Sequence, residues 1–480
     1  MSNAKVYKWS LIDRVSVAAL NFGGNIVLAR MLTTADFGLL AMIAIFIALA
    51  QDISGCGLAD GLIHKVKPTR DDYSTVFVFN TAFGLLFGLS FFFGAPLVAR
   101  FFGHQELVTI MRVLGVCFFF QSMSFIQETR LRKELAVKQL CLVRVGATLT
   151  ALALGITLAA LGFGWWALVS TQILLSFFIF VYCLAATRWF PRIAFSRKSF
   201  KEFFGFGIHL AIAYISNVIG KNINTFLLGK FFTPAATGLY YQGAKLANVP
   251  FQVIDQSVNN PFFVVASNES VPDSQRSLIR NMFSMVVGIN GVLLFLMLVV
   301  AAPGIIALYG EKWAESIPLF RIIALAEFLF CLKAFFQAVC KVNANTVFVR
   351  NLSIAQVAAQ IILSILAVLF FRDILVIVWI QVVCELASVS IYAFKYRRLT
   401  GQRFRGIIAA AIGSLWLPAL GALFAVMAVM AADALVALPP IADCLVIAAA
   451  YAVTIIGAGE ILRPKVYVAL RDHFIKRKQS

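Results

Sequence analysis

Residues 281–302 read NMFSMVVGINGVLLFLMLVVAA, 22 in a row without a charged side chain. A helix rises about 1.5 Å per residue, so about 20 residues cross the roughly 30 Å of hydrocarbon in a bilayer. No water reaches that layer, and a helix satisfies its peptide groups within its own segment. The stretch therefore reads as the core of a transmembrane helix over 278–302. Working outward, thirteen more segments read the same way: 10–31, 37–58, 73–99, 106–127, 137–161, 164–186, 203–228, 236–262, 317–340, 350–371, 373–394, 407–431 and 440–462. The connections are short and leave no room for a sizeable soluble domain. The fold class is all-α integral membrane, with about 14 transmembrane helices.

Composition agrees. Of 480 residues, 61% are apolar and 13% charged, with a mean hydropathy of +0.89, whereas soluble chains average about 45–50% and about 25%. A soluble enzyme, a disordered chain and a secreted disulfide scaffold are excluded. Apolar runs of this length also exclude an outer-membrane barrel, whose strands alternate. The eight cysteines (56, 117, 141, 183, 331, 340, 384 and 444) include no CxxC pair, and the four histidines show no ligand spacing. They read as packing residues, with no metal and no cofactor expected. Lys5 and Lys8 precede an apolar run that carries Arg14 and lacks an A-x-A site, so it reads as an uncleaved first span.

The net charge of +19 is arranged by side. Alternate loops and the two termini hold 29 Lys and Arg, while the opposite loops hold 5. Basic residues mark the cytoplasmic side, so both termini are expected there. Loop 187–202 is the basic midpoint between spans six and seven.

The chain also repeats itself. Leu28-Ala-Arg-Met-Leu-Thr-Thr-Ala-Asp-Phe-Gly38-Leu39 closes span one, and Leu228-Gly-Lys-Phe-Phe-Thr-Pro-Ala-Ala-Thr-Gly238-Leu239 closes span seven. At an offset of 200, Leu28, Thr33, Ala35, Gly38 and Leu39 recur, and Arg30 matches Lys230. Six intervening spans preserve orientation, which makes the repeat parallel, with an axis along the membrane normal. The expected domains are a six-helix lobe (1–190), a second (191–400), and two added helices with a basic tail (401–480).

Polar residues inside spans mark candidate sites because they are costly in lipid. Span one carries Arg14, Ala18, Asn21 and Asn25 on one face, and span seven carries Tyr214, Asn217, Lys221 and Asn224. Span eight carries Tyr241, Lys245, Asn248, Gln252, Asp255 and Asn259, with Gln256 adjacent. Gln51 and Asp52 lie in span two. Arg14, Lys221 and Lys245 give a surplus of cations suited to a phosphate, pyrophosphate or uronic-acid cargo. Asn21, Asn25, Asn217, Asn224, Tyr241 and Asn248 suit sugar hydroxyls and faces. Asp52 or Asp255 is a candidate for ion coupling. Pro250 removes a helix hydrogen bond and is a candidate gate hinge. Arg112, Arg144, Arg321 and Lys333 are further intramembrane cations, with Glu327 and Glu385 as candidate partners. Gly84 and Gly88 read as a close-packing face. There is no Walker A, G-x-S-x-G or H-E-x-x-H motif, and no enzyme activity is expected.

The run Ala29–Ala41 resembles the start of Wzx-type polysaccharide flippases. Thr225–Pro250 resembles the central motif of their colanic-acid-exporter-like branch, within the multidrug/oligosaccharidyl-lipid/polysaccharide exporter superfamily. The resemblance implies two helical bundles in a V, alternating access, and a bacterial inner-membrane location. It also implies an undecaprenyl-pyrophosphate-linked oligosaccharide substrate for surface or exopolysaccharide biosynthesis, lipopolysaccharide included. The expected partners are that substrate, membrane lipids, a polysaccharide polymerase and glycosyltransferases, and no nucleic acid. Ala236-Thr237 and the Asn-Asn-Pro at 259–261 depart from the family pattern. The alternatives on the same fold are a cation-coupled multidrug exporter and a lipid-linked peptidoglycan precursor flippase.

Overall fold

The structure is a computed structural model. It describes residues 3–55, 62, 65, 68–189, 194–197, 199–200, 218–268, 272–343, 345–400, 404–435 and 439–462. The helices are α1 (Asn3–Met31), α2 (Thr34–Met42), α3 (Ala44–Gly55), α4 (Arg70–Phe102), α5 (Glu106–Lys133), α6 (Val137–Ala160) and α7 (Trp165–Thr187). There follow α8 (218–231), α9 (Pro234–Asn268), α10 (Pro272–Tyr309), α11 (Ser316–Val342), α12 (Thr346–Phe370), α13 (Ile374–Thr400), α14 (Phe404–Leu435) and α15 (Pro440–Leu462). Among the described residues, 11 helices are long and apolar enough to cross a membrane, and each falls on an expected span. Most of the expected span 203–228 lies outside the described residues. The second expected span is broken: α2 stops at Ile43, whose N–H turns back to Leu40 and Ala41, and α3 restarts at Ala44. No proline or glycine marks that break in the sequence, and Met42 and Ile43 are fully buried there.

The chain divides into two compact units, Met1–Gly238 and Leu239–Ser480. In the first, α4 packs along α5, α6 along α7, and α1 along α6. In the second, α11 packs along α13, and α10 gathers α11, α14 and α15. Large apolar side chains also point outward, among them Phe93, Leu97, Phe370 and Val453, each at least 70% exposed. A water-soluble protein would bury them; a bilayer solvates them.

Small residues set the closest approaches. A Cβ on Gly88 would lie 2.7 Å from the Gly115 carbonyl, and one on Gly115 would lie 2.8 Å from that of Gly88. A Cβ on Gly84 would strike Ser122. The α4–α5 hairpin thus closes along the expected glycine face, and ends where Gly103 takes a left-handed turn (φ +83°). The two copies of the repeat meet in the first unit. A Cβ on Gly38 would run into the Pro234 carbonyl, and a Cβ on Gly238 into that of Thr34.

Both copies also start a helix in the same way. Thr33 caps α2, accepting from the Asp36 N–H at 3.2 Å while Asp36 accepts from the Thr33 N–H at 2.9 Å. Thr233 accepts from the Ala236 N–H at 3.2 Å. Ala236 cannot return the bond, and Pro234 stands at the first helical position, where a missing N–H costs nothing.

Polar ties fix the rest of the first unit. Arg144 on α6 donates to Glu128 on α5 at 2.6 Å and to Asp13 on α1 at 3.4 Å. This ion pairing sets the rotation of α1, with Asp13 turned inward and Arg14 exposed. Arg112 lies over the Phe92 ring at 4.9 Å. Lys230 lies over the Phe101 ring and donates to the Phe101 carbonyl. Part of the basic loop 187–202 rests on the helix ends: Trp189 meets Tyr73 edge-on and takes Arg130 on its face, and the Ser196 N–H donates to Thr75 at 3.0 Å. Among the described cysteines, Cys117, Cys141, Cys183, Cys331, Cys340 and Cys384 are buried and Cys444 is partly buried.

Gly38→Ala lowers stability by about 1–3 kcal/mol through overpacking against backbone, read as thermal melting in detergent. Gly94→Ala, where nothing lies within 4 Å, leaves stability unchanged or raises it by up to about 1 kcal/mol. Arg144→Ala costs about 1–3 kcal/mol, because Asp13 loses its charged donor and Glu128 keeps only Arg132, at 3.4 Å; a melting curve identical to that of the unsubstituted protein would show that the tie contributes nothing.

Candidate functional site

The site residues whose side chains are described are distributed over three helices, α1, α8 and α9. On α1, Arg14, Ala18 and Asn21 are exposed, and Asn25 is buried at 9%. The polar stripe therefore turns inward over its last turn. Beside it runs an exposed apolar stripe of Leu11, Val15 and Phe22. On α8, Lys221 is exposed, whereas Asn224 is buried at 3%. Asn222 is held locally, its amide donating to the Val218 carbonyl at 2.9 Å. Among the described residues, Arg14 and Lys221 make no ion pair with a carboxylate. Asn217 and Tyr214 lie outside the described residues.

On α9 the two faces are sharply different. Ala247 and Phe251 are fully buried within the second unit, as is Gln242. The opposite face carries Tyr241, Lys245, Asn248, Gln252 and Asp255, all partly or fully exposed. Such a stripe faces water or protein, because acyl chains cannot solvate it. In the amide orientation that satisfies both of its atoms, Asn248 donates to Glu327 on α11 at 2.8 Å and to the Ala244 carbonyl at 3.2 Å. Cys331 lies within electrostatic reach of Asp255, Glu327 and Glu385. Pro250 sits inside α9, with helix on both sides. The side chains of Gln51, Asp52, Gln256 and Asn259 lie outside those described.

The remaining intramembrane cations all have partners. Besides Arg144 and Arg112, Arg321 donates to the Leu298 carbonyl at 3.3 Å, and Lys333 pairs with Glu385 at 2.8 Å. Sequence reasoning missed Asp13, Glu128 and Gln356 as partners. Asp13 was findable, since it stands beside Arg14 inside an apolar run. The other two needed the third dimension. Among the described residues no group of His, Cys, Asp and Glu is arranged to hold a metal ion.

Chemically, an exposed ammonium with amides and a tyrosine along the same helix, as Lys245 has on α9, can offer charge-assisted hydrogen bonds to an anionic, hydroxyl-rich group. Comparisons narrow the class. The chain is 24% identical over 330 residues to the teichuronic acid biosynthesis protein TuaB of Bacillus subtilis (strain 168), covering 67% of each. It is 24% identical over 332 residues to the lipopolysaccharide biosynthesis protein WzxC of Escherichia coli (strain K12), covering 67% of this chain and 66% of WzxC. A similar match, 24% over 327 residues, is found with the succinoglycan biosynthesis transport protein ExoT of Rhizobium meliloti (strain 1021), covering 66% and 65%. In fold it is similar to the lipid II flippase MurJ in an inward closed conformation, with a TM-score of 0.72 at 11% identity over 95% of this chain and 99% of that one. It is also similar to an inward-facing multidrug transporter of the MATE family, with a TM-score of 0.63 at 16% identity over 80% and 95%. A family model described as "Polysaccharide biosynthesis protein" matches residues 27–318, more than half of the sequence. This multi-pass helical membrane protein belongs to the polysaccharide biosynthesis protein family.

Proposed function

We propose that the chain is a flippase that carries an undecaprenyl-pyrophosphate-linked oligosaccharide across the bacterial inner membrane for surface or exopolysaccharide biosynthesis. The family and the relatives named for teichuronic acid, lipopolysaccharide and succinoglycan support this reading. The observation that carries it is the set of exposed cations, Arg14 on the membrane-spanning α1 and Lys221 and Lys245 on α8 and α9. Arg14, Lys221 and Lys245 contact the pyrophosphate head. Asn21, Asn25, Asn217, Asn224, Tyr241 and Asn248 contact sugar, and the polyprenyl tail stays in lipid. Asp52 or Asp255 couples ion movement, and Pro250 serves as the gate hinge. The lobes 1–190 and 191–400 alternate access around the site, and 401–480 adds two helices. Both termini face the cytoplasm, where glycosyltransferases assemble the substrate, and a polymerase takes the product on the far side. A multidrug exporter of organic cations would place carboxylates where these cations stand.

The test replaces Arg14, Lys221 and Lys245 together with alanine and follows polymer export at constant protein abundance. Charged hydrogen bonds are worth about 1.5–3 kcal/mol each, so export should fall at least about tenfold. Arg372→Ala, in an opposite-side loop, leaves export intact. Normal export by the triple variant would remove the reading.

A further inference from the structure

A buried polar triangle in the second unit plays no part in the site described above. Lys333 on α11 donates to Glu385 Oε1 on α13 at 2.8 Å and to Gln356 Oε1 on α12 at 3.2 Å. The Gln356 amide nitrogen in turn donates to Glu385 Oε1 at 2.8 Å. Glu385 Oε2 stands 2.8 Å from the ammonium but receives no hydrogen bond. The Phe330 ring closes another side, its centroid 4.8 Å from Lys333 Nζ. The Lys333 and Glu385 side chains are 8% and 9% exposed.

Three oxygens from two helices and an aromatic face thus surround one positive charge. A carboxylate, an amide oxygen and a π-face are the groups that receive a monovalent cation when water is absent. The ammonium is compact, and its donors match the oxygens around it. It cannot withdraw without stranding the Glu385 carboxylate in a dry interior. Gln356 both orients the carboxylate and shares the cation with it.

We propose that Lys333, Gln356, Glu385 and Phe330 form a monovalent-cation site that the protein fills with its own ammonium. The second unit therefore takes up no free alkali cation at this centre, and loss of the lysine side chain opens the cage to sodium or potassium.

The experiment compares melting midpoints of the full chain in detergent, in sodium, potassium and choline chloride at equal ionic strength. Lys333→Ala should be destabilised in choline and rise by about 3 °C or more with saturating sodium or potassium. The unsubstituted protein and Lys333→Ala/Glu385→Gln should show no such rise. A Lys333→Ala response no larger than that of the double variant overturns the proposal. Should Lys333→Ala fail to fold, the unsubstituted protein and Glu385→Gln decide the matter. Alkali-cation stabilisation of the former that disappears in the latter overturns the proposal; its absence from both, with the double variant folded, supports it.

Discussion

A charge or peptide group inside a bilayer must find its partner within the protein, because lipid offers none. This constraint explains most of what the chain does with its few polar residues. Arg144 ties α1, α5 and α6 through Asp13 and Glu128, and Lys333 ties α11, α12 and α13 through Glu385 and Gln356. Where hydrophobic burial cannot drive helix association, such ties and close glycine contacts take its place. The same rule gives meaning to the exceptions. Among the described residues Arg14 and Lys221 are exposed without a carboxylate partner, and an exposed cation within a membrane needs water or an anion.

The two kinds of polar residue divide the work. Those turned inward hold the rotation of a helix, and those turned outward inherit their direction from that rotation. Asp13 and Arg14 are adjacent in sequence, yet one faces the bundle and the other does not. Fixing the first aims the second. On α9 the buried Ala247 and Phe251 play the part of Asp13, and Lys245 and Gln252 that of Arg14.

The fold was largely legible in the sequence because the bilayer sets a length scale, and a run such as 281–302 announces it directly. The repeat was legible because its identities fall on a cap threonine and a contact glycine, whose roles are local and geometric. The site was legible only as stripes. Periodicity placed Asn25 and Asn224 with Arg14 and Lys221, whereas the structure buries both amides. Helical spacing gives an angle but not the direction of the bundle axis, and one residue's difference decides between exposed and buried. The break at Ile43 and the partners Glu128 and Gln356 were silent, because each depends on neighbours distant in sequence.

The reciprocal contact of the repeat constrains what either copy can become. Gly38 meets Pro234 and Gly238 meets Thr34, and each pair becomes the other when 200 is added to one number and subtracted from the other. A methyl group at either glycine would press on the backbone that begins the other helix, so the two positions have to stay bare together.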